Sequence, residues 1–317
     1  MRITNKSLNS NMLRNLNQGL NRLDRFQQQL ATGKRVLQPS DDPAAVTSIM
    51  QLKTSLIESE QYIQNVEDGS AWLDSTDTTL DAVTSVLQRA RELTVYGAND
   101  TLSETDREAL SREIDQLFDN VLQLSNASHG GKYLFAGQLT TTRPFSRAST
   151  DPDSEGYFKV DYHGGYVTAE GDDLAGLPIE IGVASRLVIN IVGAKEEDGA
   201  ITEHIFSPVF QVLTDIRSSL MAEDGERLSN TNLAELDRVF DGVLSYRSEV
   251  GAKVNRLELS KDRLLDLKLN FNRLLSHAQD IDVAETIMHL KSEENIYRTA
   301  LSVGARIIQP SLVDFLR

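Results

Sequence analysis

The chain has 317 residues, enough for two or three domains, and hydrophobic residues make up 40% of it. Its 32 Lys and Arg residues stand against 47 Asp and Glu residues, which gives a net charge of −15 at pH 7. Nucleic acids and anionic membranes both attract clustered positive charge, so neither is predicted as the main partner. The sequence has no Cys, which excludes disulfides, thiol nucleophiles and thiolate-bound metal clusters.

The first 40 residues differ in charge from the rest of the chain. They contain seven Lys and Arg residues and a single acid, Asp24. Such an acid-poor composition is also found in organellar transit peptides, whereas residues 1–30 contain no apolar run long enough for a secretory signal. No stretch approaches the roughly 18 apolar residues that cross a membrane, so no membrane insertion is predicted.

The seven Pro residues separate two helical windows, 44–143 and 209–309, from a middle segment. In the first window, apolar residues spaced three and four apart predict a helix from about residue 43 to 96, which would be about 80 Å long. A capping box of Ser103 and Asp106 predicts the start of the next helix. The second window repeats the pattern through a ladder that indicates another long helix: Leu236, Phe240, Val243, Arg247, Val250, Val254, Leu257, Lys261, Leu264, Lys268, Phe271 and Leu275.

The middle segment shows the two-residue alternation of β-strands. Short alternating runs with Gly-containing turns between them occur at residues 157–162, 167–170, 178–183 and 187–192. The predicted fold class is mainly α, an elongated bundle of long helices built from both chain ends with a small inserted β-rich domain. The expected domains are a terminal helical assembly domain, a long-helix bundle domain and an outer β-rich domain, at residues 1–40 with 272–317, 41–135 with 206–271, and 136–205.

Each end of the chain carries one amphipathic stripe at helical spacing. Isolated amphipathic helices are marginal in water, so the two stripes are predicted to pair as antiparallel helices and to form an assembly interface. The alternative is that both stripes dock on this chain's own core. The interface residues predicted on the N-terminal helix are Leu13, Leu16, Leu20, Leu23 and Leu30. Those on the C-terminal helix are Val283, Ile287, Leu290, Tyr297, Leu301 and Ile308.

Four segments carry recognisable motifs. They read LATGKRV at residues 30–36, PSDDPAAV at 39–46, GGKYLFAG at 130–137 and VGARIIQPSLVDFL at 303–316. Together they resemble the bacterial flagellin superfamily. The prolines at positions 39, 43 and 310 resemble its hook–filament junction branch more than its filament-forming flagellins. These motifs lie in about the first 140 and last 110 residues, and the β-rich segment contains no motif that matches.

This resemblance implies a flagellin-like fold whose two terminal segments are poorly ordered in the free subunit and pair as tube-lining helices on assembly. It implies a structural subunit at the junction between hook and filament, with coiled-coil packing of its terminal helices. The implied partners are further copies in a helical or annular layer, another hook-associated protein, flagellin, and an export chaperone at the C-terminal region. It also implies an extracellular location in the flagellum, reached through the flagellar export apparatus without a cleaved signal peptide, which removes the need for a transit peptide.

The acids of the signature segment suit helix capping better than metal binding. Asp42 precedes Pro43, which is the order expected of an N-cap and a first helical residue. In this interpretation, residues 33–40 form the bend between the terminal helix and the long helix that follows. The signature and cap segment comprises Gly33, Lys34, Arg35, Ser40, Asp41, Asp42 and Pro43.

The remaining candidates for chemistry are weak, and we predict no enzyme, no metal and no cofactor. Residues 151–156 imitate the start of a calcium loop, but Tyr162 stands where that loop requires Glu. Gly130 and Gly131 precede a Lys as in a phosphate loop, although a helix stop explains them better. The five His residues are expected at solvated or capping positions, and no nucleophile, base and stabiliser occur together.

Two other functions remain open from the sequence. A filament-forming flagellin would share the superfamily motifs but not the prolines. A soluble helical signalling module resembling a chemoreceptor stalk would explain the long helices, but neither the β-rich segment nor residues 33–46.

Overall fold

The structure, a computed structural model, describes residues 5–99, 102–149, 158–165, 176–191, 195–197 and 200–308. The helices are α1 (Asn5–Thr32), α2 (Pro43–Gly97), α3 (Glu104–Ser125), α4 (Ser207–Met221), α5 (Gly225–Arg227), α6 (Leu233–Gln279) and α7 (Val283–Ile308), with a π-helical turn at Leu228–Asn232. The strands are β1 (Ser128–His129), β2 (Lys132–Tyr133), β3 (Phe145–Arg147), β4 (Val160–Tyr162), β5 (Pro178–Gly182), β6 (Ser185–Val188), β7 (Lys195–Glu197) and β8 (Ala200–Glu203). The fold is therefore mainly helical with a strand-containing middle, as the sequence predicts.

The chain divides into two compact units. Unit one contains residues 1–58 and 266–317, and unit two contains residues 59–265. Helices α2 and α6 contribute residues to both units, whereas α1 and α7 belong to unit one alone.

The core of unit two includes the apolar residues of α6 that recur every seven positions in the predicted ladder. These residues are all buried and join one hydrophobic cluster with the inward positions of α2. They are Leu236, Val243, Val250, Leu257 and Leu264 on α6, facing a cluster that includes Val66, Leu73, Leu80 and Leu87 on α2. A seven-residue apolar repeat is the pattern that lets long helices pack along a continuous seam, so the ladder prediction is confirmed.

Ion pairs run beside this seam. Arg247 of α6 donates from Nε to Asp77 at 3.0 Å and from Nη1 to Asp81 at 2.7 Å, both on α2. The two carboxylates raise the pKa of the guanidinium, Asp77 by its hydrogen bond more than Asp81. Arg247, a charged member of the predicted ladder, therefore forms ion pairs with α2 at the edge of the apolar seam.

The capping box before α3 is confirmed. The Asp106 backbone N–H donates to the Ser103 hydroxyl at 3.3 Å, and the Ser103 N–H donates to the Asp106 carboxylate at 3.4 Å. Two N–H groups that the first helical turn leaves without a partner are satisfied in this way.

The strands form two-stranded antiparallel hairpins, pairing β1 with β2, β3 with β4, β5 with β6, and β7 with β8. Strands β4 and β5 lie within the predicted runs at 157–162 and 178–183. The run predicted at 187–192 overlaps only the end of β6, and those at 167–170 and the calcium-like segment 151–156 lie outside the described residues.

The Gly130–Gly131 pair is a hairpin turn rather than the predicted helix stop. Helix α3 already ends at Ser125, and the two glycines connect β1 to β2 with φ angles of 57° and 79°. A two-residue turn with positive φ at both positions matches the right-handed twist of a hairpin, and glycine adopts these angles without steric cost.

The β-rich segment shares the core of unit two. Phe145 and Tyr162 are buried with ring centroids 5.1 Å apart, and Phe206 before α4 lies 5.4 Å from Phe145. These aromatic residues belong to the same hydrophobic cluster as the seam of α2 and α6. Because the β-rich segment shares this cluster, it has no hydrophobic core of its own among the described residues, and a separate outer domain at residues 136–205 stays a prediction.

For His204 the expectation of a solvated or capping position is wrong. Its ring is buried, stacked on Tyr162 with centroids 5.4 Å apart and set edge-on to Phe145 at 5.0 Å. Burial lowers the pKa of His204 to about 4, because the charged imidazolium loses its hydration there. Nothing in the local sequence pattern distinguishes this histidine from an exposed one.

Candidate assembly interface

Helices α1 and α7 pack against each other as an antiparallel pair within unit one. Residues that ascend along α1 meet residues that descend along α7. Arg22 bonds Glu293, and the Phe26 ring stacks on the His289 ring with centroids 5.7 Å apart. The predicted antiparallel pairing of the two stripes is therefore present within a single chain, and poor order of the ends in the free subunit stays a prediction.

The face of α1 that meets α7 is made of two interleaved series, each repeating every seven residues. The members are buried or half-buried: Met12, Gly19 and Phe26 in one series, Leu16, Leu23 and Leu30 in the other. The predicted residues Leu13 and Leu20 lie outside this seam and are 59% and 45% exposed. One position along a helix is a rotation of about 100°, so these two leucines project from the neighbouring face.

The residues predicted on α7 also lie on two different faces of the helix. Leu290 and Tyr297 are half-buried on the face that meets α1. Val283, Ile287 and Leu301 are exposed, at 54%, 44% and 44%. Ile308 is the last residue of α7.

The predicted ladders thus combined two faces of each helix. The sequence prediction selected the leucines and missed Met12, Gly19 and Phe26. A glycine has no side chain that would mark it as an apolar seam residue, and leucines on two adjacent helix faces give the same three- and four-residue spacing as leucines on one face. The seven-residue spacing of Met12, Gly19 and Phe26 is the signal that identifies the true seam.

A cleft of about 640 Å³ opens between the N-terminal part of α1 and the C-terminal part of α7. Met12 and Leu16 line it from α1, and Ile296, Ala300 and Val303 line it from α7. The lining is mostly apolar, so two helices alone do not close this part of the seam.

The signature segment ties the end of α1 to the start of α7. The Arg35 N–H donates to the Gln279 carbonyl at 2.7 Å, and the Ile281 N–H donates to the Gly33 carbonyl at 3.1 Å. The Gln29 side chain, which is buried, donates to the Arg35 carbonyl at 2.8 Å. Lys34 pairs with Asp280 across this short antiparallel bridge. Gly33 has a φ of 70°, an angle that favours glycine where the chain leaves α1.

Asp41 organises the bend that follows. Its carboxylate accepts the backbone N–H groups of Gln38 at 2.9 Å and Leu37 at 3.1 Å, and it lies 3.6 Å from an Arg25 nitrogen. These hydrogen bonds, that of Gln38 first, hold the pKa of Asp41 below its usual value, with a smaller contribution from Arg25.

Asp42 has the capping geometry that the sequence predicts. Its Oδ1 accepts the Ala45 N–H at 3.0 Å, and α2 begins at Pro43. Ser40, which is exposed, donates to the Gln38 side chain at 3.5 Å. The signature segment is therefore a structural bend between α1 and α2, held by caps and backbone bonds.

Among the described residues, no helix is both long enough and apolar enough to cross a membrane.

The chain is similar to flagellar proteins both in sequence and in fold. Residues 3–140 match the family model for the bacterial flagellin N-terminal helical region. Flagellar hook-associated protein 3 of Escherichia coli strain K12 is 30% identical over 275 residues, covering 83% of each chain. Among solved structures, a putative flagellar hook-associated protein from Vibrio parahaemolyticus has a TM-score of 0.59 at 20% identity, covering 76% of this chain and 100% of that one. The flagellar junction protein FlgL from Legionella pneumophila has a TM-score of 0.54 at 15% identity, covering 73% of this chain and 100% of that one.

The fold is flagellin-like, and it is shared with these two structural neighbours, a putative hook-associated protein and a junction protein. The chain belongs to the flagellar hook-associated protein 3 family. This membership makes it a protein of the bacterial flagellum. These relatives are named for flagellar structures and not for a reaction.

Proposed function

We propose that this chain is the structural subunit that joins hook to filament, and that it assembles through the apolar surface its paired terminal helices leave exposed. The proposed interface consists of Leu13 and Leu20 on α1 with Val283, Ile287 and Leu301 on α7. Leu16, Leu23, Leu30, Leu290 and Tyr297, which lie in or beside the α1–α7 seam, support it from within.

One observation carries the proposal. The α1–α7 pair buries one face of each helix and exposes the neighbouring apolar face to solvent. Of the large apolar side chains exposed among the described residues, more than half belong to unit one. Exposed apolar surface on this scale is typical of protein interaction sites, because burying it removes apolar area from water.

The proposed partners are further copies of this chain in a helical or annular layer, with another hook-associated protein on one side and flagellin on the other. Identical subunits that meet through two different surfaces form a ring or a helix. An export chaperone that covers the C-terminal helix before assembly, and extracellular delivery through the flagellar export apparatus without a cleaved signal peptide, belong to the same proposal. So does the division into a terminal assembly domain, a long-helix domain and an outer β-rich domain.

The test compares outward and inward leucines. We expect Leu13→Asp and Leu20→Asp to weaken assembly on isolated hooks while the helical content of the free chain stays unchanged, because neither side chain packs in the α1–α7 seam. Assembly would be measured by co-sedimentation with hooks and by electron microscopy, and the concentration needed for it should rise at least about ten-fold. Leu16→Asp should instead disrupt the pair itself and lower the helical content.

Asn21→Asp is the matched control, since Asn21 is exposed on α1 and the change adds one charge without removing apolar surface. Normal assembly of both leucine variants would contradict the proposed interface. Long filaments formed by the purified chain alone would favour a filament subunit over a junction subunit.

A further inference from the structure

The leucine layer of the α1–α7 seam does not define how the two helices are aligned. Leu16, Leu23 and Leu30 recur every seven residues, so sliding α1 by seven residues would replace one leucine by another. The α7 seam repeats with the same spacing, at Leu290, Tyr297 and Gly304. Apolar burial alone would therefore accept several alignments of similar stability.

The other layer of the seam matches large side chains with glycines. A Cβ at Gly19 would lie 3.5 Å from the Tyr297 ring, and a Cβ at Gly304 would overlap the end of the Met12 side chain. A seven-residue slip in one direction would place Met12 against Tyr297. A slip in the other direction would place Gly19 against Gly304. The first crowds the seam and the second leaves a void, and both are unfavourable.

A bidentate ion pair crosses the seam at the same alignment. Arg22 donates from Nε and Nη2 to the two carboxylate oxygens of Glu293, at 3.0 and 3.1 Å. The Glu293 side chain is only 19% exposed. A slip of seven residues would place Arg22 opposite Thr286 or Ala300 and Glu293 opposite Asn15 or Gln29, none of which carries a charge. The carboxylate would then be largely buried without its partner, which costs more than the pair contributes when it is formed.

We propose that Arg22 and Glu293, together with the glycine positions 19 and 304, select the alignment in which α1 recognises α7 along the length of the pair, in addition to the backbone bonds that tie residues 33–35 to residues 279–281 at one end. The ion pair rejects slipped alignments by leaving a buried charge unpaired, and the glycines reject them by shape. This alignment decides which apolar side chains stay outside the pair. That the outside residues then mediate assembly rests on the proposed function, whereas the alignment itself is a property of the free chain.

The absence of Cys allows a direct test by engineered disulfides in the full-length free chain. Leu16 and Ala300 line the same cleft from opposite helices, so the L16C/A300C pair reports the alignment described here. The L23C/A300C pair reports a slip of seven residues. In the parent background we expect the first pair to oxidise rapidly and the second slowly.

Charge reversal should shift this preference. We expect Arg22→Glu or Glu293→Arg to lower the ratio of native to slipped disulfide about ten-fold, the loss typical of a hydrogen bond to a charged group. The double variant R22E/E293R should restore the ratio, because it rebuilds the pair with opposite polarity. If the single variants lose the pair altogether, recovery in the double variant still reports recognition between these two residues.

Lys291→Glu is the control, because Lys291 bonds Glu294 on its own helix and does not cross the seam. Unchanged disulfide ratios in both single variants, or a double variant no better than the singles, would overturn the inference. A different outcome would test the proposed function alone. If the double variant restores the alignment but the single variants, whose helices have slipped, still assemble normally, the proposed function fails and the alignment inference stands.

Discussion

At the scale of single residues, His204 couples the aromatic core of unit two to pH. Its folded-state pKa is about 4, below the 6.5 of an exposed histidine. Between these values the unfolded chain binds a proton that the folded chain does not, so stability is lost as pH falls from about 6.5 to 4. The loss is on the order of 3 kcal/mol, which a urea titration of the unfolding free energy at pH 7 and pH 4.5 would detect.

His204→Phe keeps an aromatic ring in the cluster of Phe145 and Tyr162 and removes the titrating group. The carboxylates of the chain contribute their own pH dependence, so the informative quantity is the difference between parent and variant. We expect the variant to lose less stability over this pH range. Equal losses would show that His204 is already accessible to protons in the folded chain.

At the scale of elements, the long helix α6 contains two glycines in open surroundings. Apart from chain neighbours and the helix backbone, no atom lies within 4 Å of the position where a Cβ would stand at Gly242 or Gly251. Gly242→Ala and Gly251→Ala should each stabilise the chain by about 0.5–1 kcal/mol, because alanine loses less backbone freedom in a helix. Thermal unfolding followed by circular dichroism would measure the increase.

Gly69 in α2 is the matched contrast. A Cβ at this position would lie 2.5 Å from Ile179 Cδ1 and 3.4 Å from Ile189 Cγ2 in the β-rich segment. The same helical gain is then opposed by displaced packing, so Gly69→Ala should stabilise less than Gly242→Ala. A larger gain at Gly69 would mean that the strands give way easily at this contact.

At the scale of the whole molecule, the two units differ in how much they bury. The hydrophobic cluster lies in unit two, while Ile49 is the one buried hydrophobic residue of unit one among those described. Opening free energies follow buried apolar contacts. We therefore expect backbone amides at residues 10–32 and 283–305 to exchange hydrogen at least ten-fold faster than those at 66–93 and 236–264, on the order of 1.4 kcal/mol.

Hydrogen exchange on the free chain, followed by mass spectrometry, measures this difference. In the assembled state the terminal segments should gain protection, because neighbouring subunits would cover Leu13, Leu20 and Leu301. Deletion of residues 1–30 should leave unit two folded and unable to assemble. Equal protection of both units in the free chain would contradict the expectation that the termini depend on partners.

Local chemistry explains what could be predicted about the helices and their ends. The period of the apolar residues indicated α2 and α6, and Asp42 with Pro43 and Ser103 with Asp106 located two helix starts. The strands were predicted less well, since strands of two to five residues contain too few alternations to stand out. Gly130–Gly131 was misassigned because a glycine pair serves equally well after a helix or in a hairpin turn.

The candidate interface was predicted only in part. Leu16 and Leu23 belong to the seam, whereas Leu13 and Leu20 lie beside it, and a list of apolar residues does not say which face meets which partner. The pairing of Arg22 with Glu293 joins residues 271 positions apart. No local pattern predicts such a contact from one sequence.

The order of residues along the chain was enough to predict the helical period, the helix caps, the placement of the strand-containing middle and the membership of a flagellar family. These features depend on residues within a few positions of one another, where backbone geometry is nearly constant. The alignment of α1 with α7, the leucines left exposed beside their seam and the burial of His204 became apparent only from the folded chain. Those depend on which surfaces meet, and residues distant in the chain come together only when the whole fold selects one packing among many.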